Sequence, residues 1–548
     1  MKLRVRFDGI ALLVIAILSY HVALFSLDED IISREHLTED IRELVKTIEK
    51  AHPDPYINGG GKIAFHRRFQ EILRSVPEQG MTNSEFIELI TPFVAKIKDS
   101  HTAILTRPDK SEPSPGLPFQ FKIIEKGIVA VTVPDYKYKD FLGARLTAVE
   151  GVSIDELMLR QSRLRGIENQ YGELALLTIS FKTENNLRRL LPEWENEDSI
   201  KLDFSLPDGE PYKLTLDLPF DIGEESVSVH TKVNFPSMEK SDIVYSFLDE
   251  DKSTALLVIS NMERYREGCE SWLADGLNIA EAMTKRAYQY FYKTDPPEDI
   301  QEVLAAIPSA TESFLALMDD LRSAGTKNLI IDLRGNTGGN SYMKEILVYF
   351  LWGDQAMKSK NEGYSIIKYS DLYFSSYSED NLEKVNQDRD IPLNKDDYDF
   401  EEEVADRMTT DAEWNETLKK MPTFWNVYKK KIYHTPHYSP EKIYVLCTPF
   451  TFSSGFNMLT DLYSLGAKIV GTPSAQPGNN FGDTLIFTLT NSKVTVGVSF
   501  KQILTFPDDS DKGNCLFPEY MLTYPKFKSF NFDPHAEILY ALEILGFQ

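Results

Sequence analysis

From residue 31 to about residue 100, hydrophobic positions recur with the spacing of amphipathic helices. The first helical stretch carries them at Ile41, Leu44, Val45 and Ile48. Thr82 and Glu85 have the spacing of a capping box at the start of a later stretch. The helical pattern ends at 98–101 and a short strand follows. An N-terminal helical region is therefore predicted at 31–105.

The pattern changes after a proline-rich linker at 108–118. Short stretches of alternating or β-branched residues follow, and 128–133 is the clearest of them. Residues 154–159 favour a helix. Pro207-Asp208-Gly209 is typical of a turn between two alternating runs. These features predict a small β-rich module at 117–235.

Beyond residue 243, fully apolar runs alternate with helical patterns. The runs at 255–259, 329–333 and 443–446 have the composition of strands that are buried on both faces. Strands that alternate with helices indicate a sheet with parallel members. We therefore predict an α/β core at 243–548.

Two segments interrupt this core. Residues 263–310 look helical, with many acidic and aromatic side chains. Residues 354–440 are highly charged, and 396–403 are almost continuously acidic. A run of this kind favours a solvated insertion.

The first 30 residues have the pattern of an export segment. Lys2, Arg4 and Arg6 precede an apolar run at 10–27, and three acidic residues close it. A run of about 18 residues is long enough to span a bilayer. The pattern lacks a small-x-small cleavage site, so an uncleaved membrane anchor is favoured over a removed signal peptide. Either would give a periplasmic or extracellular location. A buried first helix is the alternative.

Composition narrows the class of protein. The chain is 42% hydrophobic and 26% charged, which is ordinary for a globular protein. Its 84 acidic residues exceed its 59 lysines and arginines, and this excess argues against nucleic acid as a partner. Cys269, Cys447 and Cys515 are far apart and form no CxxC motif. We therefore expect buried thiols, no metal site and no cofactor.

Residues 334–339 read Arg-Gly-Asn-Thr-Gly-Gly and directly follow a predicted strand. Glycines between a strand and a helix free backbone N–H groups to face an anion, either a phosphate or the oxyanion of an acyl-transfer intermediate. The spacing matches neither the dinucleotide fingerprint nor the phosphate loop, which disfavours phosphate.

Residues 451–455, Thr-Phe-Ser-Ser-Gly, also lie between a predicted strand and a predicted helix. Ser453 or Ser454 could simply cap that helix. Alternatively, a serine at this turn is a nucleophile beside an oxyanion hole, and it then needs a base. His101 is the best-placed histidine, whereas His52 and His535 look like loop histidines.

Together these segments resemble the C-terminal processing, or tail-specific, family of serine peptidases. The resemblance rests on 328–340, on 451–455 with 469–483, on 98–102 and on 517–519. It implies a crotonase-like (ClpP/crotonase) α/β core. It also implies that the nucleophile is Ser453 and that the amide of Ser454 forms the oxyanion hole with Gly338 or Gly339.

One branch of this family uses a Ser/Lys dyad, but this chain has no lysine at 477–480. Ser100-His101 is instead similar to the Ser-His motif of the tricorn-like and retinoid-binding-protein-like branch. That resemblance implies His101 as general base and an orienting acid late in the chain, for which Asp511 and Glu519 are the candidates.

Many members of the family carry a PDZ or PDZ-like module between the helical region and the core. Residues 143–156 (GARLTAVEGVSIDE) resemble a characteristic stretch of PDZ domains. A PDZ-like module would take a peptide as an added strand. A module with only a scaffolding role is the alternative.

The leading hypothesis is a serine-type peptidase that acts on exported or envelope proteins. The second is a non-catalytic ligand- or peptide-binding protein on the same fold, and the third is an acyl-CoA enzyme on a crotonase-like core. The first requires His101 and Ser453 to lie within hydrogen-bond reach, and a separation above about 8 Å would exclude it.

Overall fold

The computed structural model describes residues 31–106, 115–194, 198–217, 226–229, 233–358, 363–377, 380–387, 389, 391–400, 411–430 and 436–547. The proposed export segment at 1–30 lies outside these ranges, as do the last three residues of the acidic run at 396–403. Among the helices within these ranges, none combines the length and the apolar character required to cross a membrane.

Three helices form the N-terminal region, with bounds Arg34–Ala51, Gly61–Ser75 and Asn83–Ala95. The capping box predicted at Thr82 and Glu85 is present. The apolar face of the first helix is buried against the second sheet of the core, described below, in a cluster that includes Leu485 and Val496. The buried carboxylate of Asp40 accepts hydrogen bonds from the amides of Asn491 and Ser492, which fixes this helix to the core.

The β-rich module is an antiparallel sheet covered by helices. Its strands are Gln120–Ile124, Gly127–Val133, Arg145–Val149, Val152–Ser153, Ser199–Ser205, Pro211–Asp217 and Val227–Ser228. The turn predicted at Pro207-Asp208-Gly209 joins two of them, and Gly209 has the positive φ that such a turn requires. Its helices are Ile154–Gln161, Gln170–Ser180 and Glu184–Leu190, and short 3-10 turns lie at Tyr136–Phe141 and Pro192–Trp194. The sequence pattern indicated only the first of these helices.

A six-stranded sheet forms the centre of the core, as the alternation of strands and helices predicted. In spatial order its strands are Tyr520–Met521, Lys468–Gly471, Lys442–Cys447, Asn328–Asp332, Thr254–Ile259 and Ile243–Phe247. The first five are parallel and the last is antiparallel. One face packs on the helices Ala310–Ala324, Tyr342–Trp352 and Ser454–Ser464, and the other packs on Ala536–Ile544. The chain is therefore a mixed α/β protein.

The second sheet of the core is built on a long hairpin, Asn479–Thr488 and Thr495–Leu504. Tyr364–Lys368 and Tyr398–Asp399 extend it. The short strand Ala103–Ile104 also pairs with the hairpin, with Ala103 opposite Gly497. This pairing matters for function because it carries the Ser100-His101 motif from the helical region onto the core.

The remaining helices belong mainly to the two insertions. They are Arg266–Ala274, Ala280–Tyr292, Ile300–Ala306, Asp354–Lys358, Asp371–Ser376, Leu382–Val385, Asp411–Lys419, Pro422–Tyr428, Ser510–Asn514 and Tyr524–Ser529. The second insertion is not solvated throughout, because Leu418, Met421 and Phe424 are completely buried in the main core cluster. The three cysteines are free thiols: Cys269 and Cys447 are buried and Cys515 is partly buried.

Candidate active site

Ser453 lies at a sharp turn between the strand Lys442–Cys447 and the helix Ser454–Ser464. Its backbone has φ 51° and ψ −127°, a conformation that non-glycine residues rarely adopt. Ser453 occupies the N-cap position, yet its side chain makes no capping hydrogen bond. The hydroxyl of Ser453 therefore does not serve the helix, in contrast to the simpler expectation from sequence.

Neighbouring segments hold this strained turn in place. The amide of Phe452 donates to the carbonyl of Asn336 (2.9 Å), and the hydroxyl of Thr451 donates to the carbonyl of Leu333 (2.8 Å). The amide of Ser453 donates to Oε1 of the buried Gln476 (2.6 Å). The turn at 451–453 is thus fixed to the glycine-rich turn at 334–339 and to the loop at 474–476.

The imidazole of His101 faces the hydroxyl of Ser453. Nε2 of His101 lies 3.4 Å from Oγ of Ser453, although 352 residues separate the two in sequence. The ring stacks on Phe452, with the ring centroids 5.2 Å apart, and only 5% of His101 is exposed. The two side chains are thus within the reach that the leading hypothesis requires.

The acid beside His101 is Asp99, which is completely buried. Its Oδ1 lies 3.9 Å from Nδ1 of His101 and accepts a hydrogen bond from the His101 amide (2.9 Å). Its Oδ2 accepts from His52 (3.2 Å), Ser499 (2.6 Å) and Thr102. Four donors therefore surround the carboxylate, as a buried charge requires.

His52 donates a hydrogen bond to Asp99. Nδ1 of His52 accepts a hydrogen bond from the amide of Asp54 (3.0 Å), and Nε2 faces the carboxylate. His52 lies in the loop after the helix Arg34–Ala51, as expected of a loop histidine, but its side chain is fully buried and also packs on Phe481. No pattern in the sequence indicates its contact with Asp99, because the two residues meet only in the folded chain.

Burial, hydrogen bonds and nearby charges set the protonation of Asp99 and His101. Burial alone would raise the pKa of Asp99, but its hydrogen bonds to His52 and Ser499 hold that pKa well below its usual range. Burial lowers the pKa of His101, and the charge of Arg165 acts in the same direction. Asp99 and Asp483 oppose this effect without cancelling it. His101 is therefore neutral, and able to accept a proton, at neutral pH.

The glycine-rich turn at 334–339 packs closely against Ser453 through Gly338. Gly338 has φ 100°, and a Cβ atom there would lie 2.7 Å from Cβ of Ser453 and 2.8 Å from the amide nitrogen of Ser454. The amide of Gly338 already donates to Oδ1 of Asn336 (2.9 Å). Within the described ranges, the amides of Gly339 and Ser454 donate no hydrogen bond, and the Ser454 hydroxyl donates to the Gly339 carbonyl (2.7 Å).

The late acids suggested by resemblance lie elsewhere. Glu519 accepts a hydrogen bond from the amide of Ile469 (2.9 Å) and pairs with Lys468 at the edge of the parallel sheet. Asp511 is exposed in the short helix Ser510–Asn514. The expectation of a late acid beside His101 is corrected by Asp99, which is held there because it lies only two residues before the histidine.

These features coincide with a known family. Residues 299–501 match peptidase family S41, a segment that contains the glycine-rich turn, Ser453 and Gln476. The chain is a serine peptidase whose residues 299–501 match family S41. It acts on peptide or protein substrates. His52, Asp99 and His101 lie outside the matched segment, so the histidine pair is an observation about this chain itself.

Two solved structures of mature CPAF share the fold at low sequence identity. Mature CPAF is 12% identical, with a TM-score of 0.53 over 93% of this chain and 98% of that chain. Mature CPAF complexed with lactacystin is 14% identical, with a TM-score of 0.53 over 93% of this chain and 99% of that one. The photosystem II D1 C-terminal processing protease is 12% identical, with a TM-score of 0.40 over 90% and 94% of the two chains. No curated protein sequence matches this chain.

Asp99, His101 and Glu168 could offer a metal ion three ligand atoms within 4.8 Å of one another. The chemistry of this set suits a proton network better. Asp99 already accepts four hydrogen bonds, and burial followed by the charge of Asp99 raises the pKa of Glu168 to about 8. A metal would have to compete with those donors and displace the proton of Glu168.

Ser100 does not touch Ser453. Its hydroxyl lies 3.5 Å from Nδ1 of His101 and 3.3 Å from Oε1 of Glu168. Its carbonyl accepts a hydrogen bond from Arg165 (2.8 Å). Ser100 thus connects His101 to the β-rich module.

A second buried charge cluster lies near the glycine-rich turn. Arg334 pairs with both Asp332 and Glu537, and Lys122 of the β-rich module also reaches Glu537 (2.7 Å). His535, expected to be a loop histidine, is buried beside Arg334, and burial followed by the arginine charge lowers its pKa to about 3. This cluster joins the module, the sheet and the last helix.

Proposed function

We propose that this S41 peptidase cleaves peptide bonds with Ser453 as nucleophile and His101 as general base. The observation that carries the proposal is the 3.4 Å approach of Nε2 to Oγ. His101 can take the hydroxyl proton because burial keeps its pKa low and the ring neutral. A base in contact activates a serine that is a weak nucleophile by itself.

The proposed reaction has two halves. Oγ of Ser453 attacks the carbonyl carbon of the scissile bond while Nε2 of His101 takes the hydroxyl proton. The tetrahedral intermediate then breaks its C–N bond, and the imidazolium returns the proton to the leaving amine. A water molecule, deprotonated by the same histidine, attacks the acyl-enzyme and releases the carboxylic acid product.

The amides of Gly339 and Ser454 are the proposed oxyanion hole. Both lack a hydrogen-bond partner within the described ranges, whereas the amide of Gly338 is taken by Asn336. The N-terminus of the helix Ser454–Ser464 adds positive potential at the same point. Donors that are fixed before the reaction stabilise the developing oxyanion without reorganisation.

Asp99 is proposed to stabilise the imidazolium that forms on His101. The four donors around it keep the carboxylate ionised inside the protein, so its charge is available near Nδ1 throughout the cycle. It does not take the proton itself, because its pKa is far below that of the histidine. His52 in turn orients Asp99.

The experiment compares Ser453→Ala and His101→Gln with the wild-type chain on fluorescein-labelled casein. Both variants are expected to lose at least about 100-fold in turnover. Ser464→Ala is the matched control, because Ser464 belongs to the same helix and its hydroxyl contacts only the Thr460 carbonyl (2.8 Å). Full turnover by Ser453→Ala would refute the mechanism. A wild-type chain that binds casein without cleaving it would favour the binding-protein hypothesis.

We further propose that the core is crotonase-like and that the β-rich module is PDZ-like. The parallel sheet with helices on both faces supports the first assignment. For the second, the five-stranded antiparallel path of the module ends in the edge strand Pro211–Asp217, which offers backbone groups to an added peptide strand. Thr215→Pro, at an exposed position of that strand, tests the edge: peptide binding should fall while the turnover of a dipeptide ester is kept.

We also propose that the substrates are exported or envelope proteins met outside the cytoplasm. The support is the basic start and apolar run of the first 30 residues. Cell fractionation of the full chain and of a chain lacking residues 2–27 tests this point. Equal distribution of the two would contradict it.

A further inference from the structure

A short segment of the β-rich module lies against both halves of the active site. Residues 165–169 connect the helices Ile154–Gln161 and Gln170–Ser180. A Cβ atom at Gly166 would lie 2.7 Å from the carbonyl oxygen of Ala95 and 3.2 Å from Cα of Lys98. This close approach brings the segment directly beneath the turn that carries His101.

On the histidine side, two side chains of the segment hold Ser100. Arg165 donates from Nη2 to the Ser100 carbonyl (2.8 Å), and the Ser100 hydroxyl contacts Oε1 of Glu168 (3.3 Å). The same hydroxyl lies 3.5 Å from Nδ1 of His101. The hydroxyl of Ser100 therefore contacts the ring of His101 on one side and the carboxyl group of Glu168 on the other.

On the serine side, Asn169 donates from Nδ2 to the carbonyl of Ser474 (3.1 Å). The hydroxyl of Ser474 accepts from the amide of Gln476 (2.9 Å), and Gln476 holds the amide of Ser453. One segment of five residues thus touches the supports of both His101 and Ser453.

Glu168 is an unusual residue for this position. Its Oε2 is fully buried and, within the described ranges, has no hydrogen-bond partner. An unsatisfied buried oxygen costs stability, so its presence calls for a reason other than folding. Asp99, His101 and Arg165 are the charged or titratable groups that face it. The Ser100 hydroxyl donates to Oε1 of Glu168, so Glu168 is the acceptor that directs this hydroxyl.

We propose that Glu168 is a positioning residue, which fixes His101 through the hydroxyl of Ser100 while Arg165 fixes the Ser100 backbone. The inference rests on the proposed function, since it assumes that His101 is the base. It gives the β-rich module a part in aligning the reacting groups in addition to any part in binding substrate.

The test uses the full chain and a fluorophosphonate probe, and measures the maximal inactivation rate and the half-saturating probe concentration separately. Glu168→Ala should lower the maximal rate about 10- to 100-fold, because a misplaced base loses its geometry. The half-saturating concentration should change less than about twofold. Glu168→Gln keeps an acceptor oxygen for the Ser100 hydroxyl, so it should retain most of the rate at pH 7. Glu156→Gln, on an exposed glutamate of the same module, is the control.

The pH dependence separates positioning from a merely structural role. Wild-type reactivity should rise as Glu168 ionises near its pKa of about 8, because a carboxylate accepts the Ser100 hydrogen bond more strongly than a neutral acid, and Glu168→Gln should lack that step. Equal rates for Glu168→Ala and the wild type would overturn the inference, as would equal losses and identical pH profiles for the Ala and Gln variants. If Ser453→Ala still reacts with the probe, the proposed function fails instead.

Discussion

Nε2 of His52 lies 3.2 Å from Oδ2 of Asp99, and both side chains are completely buried. The pair joins the end of the first helix to the turn that carries His101. It therefore couples the packing of the N-terminal helices to the alignment of the proposed base.

Replacing His52 by alanine removes one of four donors from a buried carboxylate. We expect the apparent free energy of unfolding to fall by about 2–4 kcal/mol, since unsatisfied buried charges are costly. Casein turnover should fall as well, because Asp99 is no longer fixed. Denaturant unfolding and turnover assays check both, with His36→Ala, on an exposed histidine of the same helix, as control. An unchanged free energy of unfolding and unchanged casein turnover in His52→Ala would show that Asp99 does not need this donor.

Gly338 lies where a side chain has no space. With φ 100° and a Cβ position 2.7 Å from Cβ of Ser453, Gly338→Ala must displace the serine or the turn. We expect about a 100-fold loss in the rate of probe labelling at Ser453. Gly335→Ala is the matched control from the same motif, because a Cβ atom there meets no atom within 4 Å. Equal labelling of the two variants would argue against close packing of the turn on the nucleophile.

The loss of activity at low pH reports the protonation of His101. Because burial lowers its pKa, half-maximal kcat/KM should lie below about pH 6.5, the usual value for histidine. Asp483 raises that pKa, so Asp483→Asn should move the midpoint to still lower pH, whereas Asp140→Asn, on an exposed aspartate, should not move it. A wild-type midpoint at or above pH 6.5, or an upward shift in Asp483→Asn, would contradict this electrostatic account.

Lys122 ties the β-rich module to the core through the fully buried Glu537. Lys122→Met leaves that carboxylate with Arg334 as its remaining partner cation, and we expect stability to fall by about 3 kcal/mol. Lys126→Met, on an exposed lysine two positions beyond the strand, is the control. Thermal unfolding of both variants measures the effect. A melting temperature unchanged in Lys122→Met would mean that the cluster does not hold the module.

Much of the core could be predicted from the sequence because buried parallel strands leave continuous apolar runs, as at 329–333 and 443–446. The two turns with special geometry were visible for a related reason, since Gly338 and Ser453 sit directly after such strands. The capping box at Thr82 could be predicted because its two residues, Thr82 and Glu85, are close in sequence.

The hydrogen-bond partners of Asp99 could not be predicted from the sequence. His52 and Ser499 reach it from 47 and 400 residues away, and no periodicity encodes such contacts. Their meeting depends on the pairing of Ala103–Ile104 with the hairpin strand. The same holds for Gln476 and Glu168, whose roles arise from tertiary contacts. The resemblance to other peptidases pointed to a late acid, whereas the acid that lies beside His101 in the structure is Asp99.

The most direct test of the central claim is peptide-level mass spectrometry of the full chain after reaction with a fluorophosphonate at pH 7. If Ser453 is the nucleophile and His101 its base, we expect a single phosphonyl adduct on Ser453, with Ser454 unmodified. The reaction in His101→Ala should be at least about 100-fold slower. An adduct on another serine, or labelling of Ser453 at the wild-type rate in His101→Ala, would contradict it.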